Sequence, residues 1–202
     1  MEPRFVLGGE ANKGYNYACV EKGWSMRVLP AVILLCTVPG FARSFVKHKE
    51  KLVVPLKTST GQDAGTATFL QGKKDLTVKL KLQNLPVGEH AVHIHQKPLC
   101  EAPDFKTAGG HFNPAGKQHG RSNPMGHHNG DLPENVTIGE GHVGEATFHV
   151  TDLSLDPSSP DSIVANGGTS IMVHEKADDM KTDPTGNAGN RIACGVIMED
   201  TR

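Results

Sequence analysis

From Ala91 to Asp131 the chain reads AVHIHQKPLCEAPDFKTAGGHFNPAGKQHGRSNPMGHHNGD, a stretch that holds six histidines and ends on an aspartate. Imidazoles gathered this densely are what a metal site needs, and any fold for this chain must bring them to one place. His93-Ile94-His95 opens the stretch, and on a β-strand an i, i+2 pair points both rings to the same face. His111, His119, His127 and His128 follow among Gly, Pro and Asn, residues that mark loops rather than regular elements. His174, in MVHEKADD, lies downstream at the end of another apolar run. The ligands therefore come from both strand and loop.

The text around this stretch reads as short strands. Residues 51–58 (KLVVPLKT) and 65–71 (GTATFLQ) are β-rich and separated by a turn segment, which predicts a hairpin. Leu76, Val78, Leu80 and Leu82 alternate with Thr77, Lys79, Lys81 and Gln83, the period of a half-buried strand. His90 to His95 reads as the next strand, with Val92 and Ile94 on an apolar face and His93 and His95 on the opposite one. Val136–Ile138, Val143–Thr151, Thr169–His174 and Arg191–Met198 complete about eight strands. Nothing after Met26 keeps helical spacing, and the 18 glycines after residue 42 suit turns. An all-β sandwich or barrel with long loops is the expected class. Trp24, Tyr15 and Tyr17 all precede it, so its core must be built from Val, Ile, Leu and Phe.

The first 42 residues differ in kind. Residues 1–25 show no sustained period and read as an extension whose translation is doubtful, since Met26 could itself be the start. From Met26, Arg27 is followed by VLPAVILLCTVPGFA, a basic residue, an apolar run and a small-x-small finish at Gly40-Phe41-Ala42, as in a secretory signal. The run is short for a permanent membrane helix, and Pro30 and Pro39 interrupt it. Cys36 would suit lipid attachment, a reading placed second because Leu35 before it is bulky. The expected location is therefore the periplasm or cell envelope, or outside the cell. Residues 43–202 carry 17 Lys and Arg against 19 Asp and Glu, a net charge of −2 with no nucleic-acid footprint. They keep two of the four cysteines, Cys100 and Cys194, and two cysteines in an exported chain read as one disulfide.

Neutral imidazole suits zinc, copper, iron and nickel, and the near absence of thiolates and carboxylates from the cluster disfavours iron–sulfur and calcium. His111, His119, His128 and Asp131 would close a tetrahedral zinc site with no open position, hence a structural one. An all-nitrogen set of His93, His95, His111 and His174 would instead fit the tetragonal preference of Cu(II). Spacing alone does not divide the histidines between these sets.

HIH, GGHFNP, HG, HHNGD, VHEKADD and GNAGNRIACGVI, in that order over about residues 48–199, resemble the successive signatures of the copper, zinc superoxide dismutase family. The short His95-to-Cys100 and long Cys100-to-His111 intervals are similar to its bacterial exported branch. The resemblance implies an eight-stranded Greek-key β-sandwich. It implies one copper per subunit on His93, His95, His111 and His174, and one zinc on His111, His119, His128 and Asp131, with His111 shared. His128 is preferred to His127 because it stands three before the aspartate. Asp178 would accept hydrogen bonds from one copper and one zinc histidine, and Cys100 and Cys194 match the family disulfide. Arg191 would attract the anion beside copper and Thr185 would narrow the channel. The reaction implied is dismutation of superoxide to dioxygen and hydrogen peroxide, copper cycling between Cu(II) and Cu(I), with Arg191 and His111 as its catalytic groups.

The alternative is a non-catalytic envelope module that binds copper or zinc; an intact copper set and Arg191 argue against it. Superoxide is the expected partner, with no nucleic acid and no membrane span, in a monomer or homodimer. His48, His90, His142 and His149 are expected to be structural or surface residues.

Overall fold

A computed structural model describes residues 51–199. The extension, the signal segment, Cys36 and His48 lie outside the described residues. Nine strands run in the order β1 (Lys51–Thr58), β2 (Asp63–Gln71), β3 (Leu76–Gln83), β4 (Gly88–His90), β5 (Val92–His95), β6 (Val136–Ile138), β7 (Val143–Val150), β8 (Thr169–His174) and β9 (Arg191–Ile197). Seven form one antiparallel sheet in the order β5-β8-β9-β1-β2-β3-β7, and β4 pairs with β6 in a small second sheet. β6 packs beside β7, so the large sheet curls. The neighbours β3 and β7, β5 and β8, and β9 and β1 are joined by crossovers, in keeping with the expected all-β class.

The alternation read from sequence sets the interior. Leu52, Val54 and Leu56 of β1, Ala67 and Phe69 of β2, Leu76 to Leu82 at every second position of β3, and Phe148 and Val150 of β7 are buried and form one apolar cluster with Ile94, Ile171, Val173 and Ile197. Cross-strand register stacks Phe69 on Val78 and Val78 on Phe148, the side-chain pairing that stabilises antiparallel sheets.

The expected single strand from His90 to His95 is two strands, broken at Ala91. Ala91 N–H donates to the Lys176 carbonyl and its own carbonyl accepts from His174 N–H, so the backbone leaves the β4 ladder to join β8. His90 holds this corner, its ring nitrogens 2.8 Å from the His174 carbonyl and 2.9 Å from the Pro86 carbonyl. All four residues of β5 are buried, on the histidine face as well as the apolar one, because the long loop 96–135 folds over its free edge.

That loop is latched by backbone hydrogen bonds. Ile94 N–H donates to Gly130 O at 2.9 Å, while Ile94 O accepts from Phe112 N–H at 2.8 Å and Gln96 N–H donates to Gly110 O at 3.0 Å. Bridges His93–Asp131 and His95–His111 result. Gly130 must be glycine for this approach, since a methyl group there would run into the Ile94 carbonyl. Cys100 and Cys194 are disulfide-bonded, 5.7 Å apart at Cα. The bond closes a segment of sequence separation 94, a constraint on the unfolded chain worth about 4–5 kcal/mol in the loop-entropy view. It ties the start of the loop to β9, with Phe105, Ala108 and Met172 packed around it.

Candidate metal centre

Two strands and one loop build the centre. In the β5–β8 register His93 lies opposite Met172 and His95 opposite Ser170, so His93, His95 and His174 project from one face of the sheet. A bulge between Val173 and His174 shifts the next pairing, so that His174 faces Arg191 instead of Ile192. Bulges re-aim side chains, and this one sets the guanidinium beside a histidine of the cluster.

Two groups of four ligand atoms come together, each within 4.8 Å of one another: His93, His95, His111 and His174, and His93, His111, His119 and Asp131. His128 falls outside the second group, yet its Nδ1 is 3.3 Å from Asp131 Oδ1 and 3.3 Å from His111 Nδ1. Asp131 Oδ1 is also 2.9 Å from His111 Nδ1 and 3.0 Å from His119 Nδ1. Four donors on a tetrahedral zinc with bonds of about 2.0–2.1 Å stand about 3.3 Å apart. The loop set is thus close to the size that a zinc ion would impose.

The shared residues divide cleanly. His93 Nε2 donates to Asp178 Oδ2 at 2.8 Å, which leaves only Nδ1 for an ion. His111 has Nδ1 against the loop set and Nε2 free, so it alone can serve both groups. His93 Nδ1, His111 Nε2 and His119 Nδ1 are buried with no hydrogen-bond partner. For His119 Nδ1 this holds although Asp131 Oδ1 is only 3.0 Å away. Buried lone pairs aimed at a common point, with nothing else to satisfy them, are what bound cations would explain.

The electrostatics agree for His95, His111 and His174. Burial, followed by the neighbouring imidazoles and the Arg191 charge, holds His95 well below its ordinary value, and burial leads for His174 as well. Burial and the adjacent His93 bring His111 down to about 3. These rings are neutral and offer lone pairs, as ligation requires. Burial alone would raise the Asp131 carboxyl, but the close His111, His119 and His128 rings and the Gly120 N–H hold it far below the carboxylate range. At His119 the two carboxylates overcome burial and lift the ring to about 9.

Asp178 links the two groups. Its Oδ2 accepts from His93 and its Oδ1 accepts from His119 Nε2 at 3.0 Å. Asn135 fixes it in turn, accepting from Asp178 N–H at 2.8 Å and donating to its carbonyl at 3.0 Å. Gly186, at φ +62°, lies directly over this carboxylate, where a methyl group would overlap Asp178 Oδ1. Arg191 donates from Nη1 to Phe105 O at 2.6 Å and from Nη2 to Gly109 O at 2.5 Å. Gly109 O also accepts from His95 Nδ1 at 2.9 Å, so one carbonyl orients both the arginine and a histidine. Thr185 is exposed in the turn that carries Gly186, with its carbonyl accepting from Ala188 N–H.

His127, set aside as a spectator, donates from Nε2 to Asp152 at 2.7 Å. Sequence reasoning missed Asn135, Asp152, Gly186 and the two carbonyls that hold Arg191. Only Gly186 left a signal, a glycine in TGNAG eight residues after the motif aspartate Asp178. His142 Nδ1 donates to Leu85 O, and His149 pairs with Asp75 at the surface, both away from the centre.

A curled antiparallel sheet carrying two adjoining imidazole-rich groups, each able to hold a metal ion, defines an all-β protein of metal-binding type. The copper/zinc superoxide dismutase family matches the chain over residues 63–197, and the chain belongs to that family. It is 39% identical over 171 residues to superoxide dismutase [Cu-Zn] 2 of Aquifex aeolicus, covering 84% of this chain and 96% of the relative. Superoxide dismutase [Cu-Zn] of Caulobacter vibrioides is 37% identical over 143 residues, 70% of this chain and 82% of that one. Among solved structures, a double mutant of a SOD-like protein from Bacillus subtilis superposes with a TM-score of 0.70 at 38% identity, covering 73% of this chain and 97% of that one.

Proposed function

We propose that the chain is a superoxide dismutase: two superoxide anions and two protons give one dioxygen and one hydrogen peroxide. His93 Nδ1, His95 Nε2, His111 Nε2 and His174 Nε2 would hold one copper. His111 Nδ1, His119, His128 and Asp131 would hold one zinc. Copper supplies a one-electron couple that takes an electron from one superoxide and gives it to the next, and zinc supplies a fixed charge that keeps His111 in place. The observation that carries this reading is that His111 belongs to both four-atom groups while Arg191 stands beside only the histidine set.

Superoxide offers only charge and small size for recognition. Arg191, held by two carbonyls and permanently charged, docks the anion at the histidine set and keeps its negative charge near the redox centre. In the half of the cycle in which His111 Nε2 is not ligated it would hold a proton, and deliver it to the reduced oxygen species. Asp178 fixes which nitrogens of His93 and His119 bear protons. Thr185 limits the size of what enters.

The disulfide and the absence, among the described residues, of a helix long and apolar enough to cross a membrane support an exported domain over residues 43–202. Residues 26–42 would direct it to the envelope. To test the reading, superoxide consumption and metal content are measured together on protein loaded with both ions. Activity that tracks copper, at one copper and one zinc per chain, supports it. Stoichiometric zinc with no copper uptake and no activity would replace it with the binding-module reading.

A further inference from the structure

We propose that Asp152 is a positioning residue for the zinc half of the centre, an inference that rests on reading His111, His119, His128 and Asp131 as zinc ligands. Asp152 lies outside the ligand loop, two residues beyond the end of β7. Three loop residues converge on it. His127 Nε2 donates to its carboxylate at 2.7 Å, Arg121 Nη2 donates to both of its oxygens at 3.3 and 3.4 Å, and Asn129 Nδ2 donates to its backbone carbonyl at 3.0 Å. Arg121 also donates from Nε to the Asp131 carbonyl at 2.7 Å.

The placement of these contacts is the point. His127 and Asn129 flank His128, and Arg121 follows His119 by two residues while gripping the backbone of Asp131. Two of the four residues in the loop set, His128 through His127 and Asp131 through Arg121, thus have a bonded neighbour that ends on the same carboxylate, and His119 lies two residues before Arg121. The segment 113–130 has no strand of its own, so sheet hydrogen bonds do not hold it between its latched ends. Asp152 and His127 keep side-chain exposures of only 25% and 31%, so water competes weakly for these bonds. A peg on the barrel that fixes the loop before the ion arrives lowers the ordering cost of ligation and slows release.

The test loads the full-length protein with zinc and follows its release to a chromogenic chelator, in parallel with melting of the metal-free form. Asp152→Asn and Asp152→Ala are expected to release zinc about tenfold faster or more, with metal-free melting little changed. His127→Gln, which keeps a donor toward Asp152, should stay nearer the original rate than His127→Ala. Unchanged release in the Asp152 variants, or equal loss of melting temperature with and without zinc, would overturn the proposal. Arg121→Gln removes the guanidinium's bonds to the Asp152 carboxylate and to the Asp131 carbonyl and His127→Ala the remaining side-chain bond to that carboxylate, so the comparison survives if an Asp152 variant does not fold. Failure of the unmodified protein to hold stoichiometric zinc would instead overturn the ligand assignment beneath it.

Discussion

The two halves of the centre are built by different means. The histidine set draws His93, His95 and His174 from β5 and β8, whose register is fixed by backbone pairing and by the apolar face beneath. The set proposed for zinc draws all its members from a loop of Gly, Pro and Asn, and its order comes from side-chain and backbone hydrogen bonds: the Ile94 latch, Asp131 inside, and Asp178 and Asp152 outside. Strand-borne ligands are therefore in place whether or not an ion is present. Loop-borne ligands share the work of ordering with the ion they would bind, so metal and stability should be coupled on that side and nearly separate on the other.

The largest contrast is expected from one substitution on each side. His93→Ala should reduce superoxide consumption to background and abolish copper uptake, while zinc content and melting change little. Loss of zinc together with copper in that variant would erase the distinction. Asp131→Ala should leave three imidazoles facing one another without their carboxylate, the loss of one partner from a buried charged group, which costs about 3–5 kcal/mol. Calorimetry of the zinc-loaded protein should show a melting temperature lower by about 10 °C.

Asp178 joins the halves, so it sharpens the comparison. Asp178→Asn offers one acceptor where two are needed, and both metals should bind about 10–100-fold more weakly. Titration with competing chelators would reveal whether the loss is shared; a loss confined to zinc would mean that His93 is held by the sheet alone. The smallest effect is expected at Arg191, which lies on β9 and donates its hydrogen bonds to two carbonyls of the disulfide loop. Arg191→Ala should lower kcat/KM about tenfold or more with both metals retained, and weaken the salt dependence of the rate. An unchanged salt dependence would remove Arg191 from anion capture.

What sequence could show follows the same division. The strand half is legible because period two marks Leu76 to Leu82 and because His-Ile-His can place both rings together only on a strand. The loop half is legible only through motif resemblance, since nothing in GGHFNPAGKQHG dictates that His111 will face two directions. The break at Ala91 was hidden because it comes from tertiary pairing with His174 and Lys176 rather than from local propensity. Asp152 and Asn135 were invisible for the same reason: each lies apart in sequence from the groups it orients, and a surface aspartate after a strand carries no local mark.

The central claim is that one imidazole joins the two halves. A crystal structure of the protein loaded with copper and zinc tests it most directly. His111 Nδ1 should lie about 2.0–2.1 Å from zinc and its Nε2 at a similar distance from copper. A single ion on His111, or two ions with the ring turned toward only one of them, would contradict it.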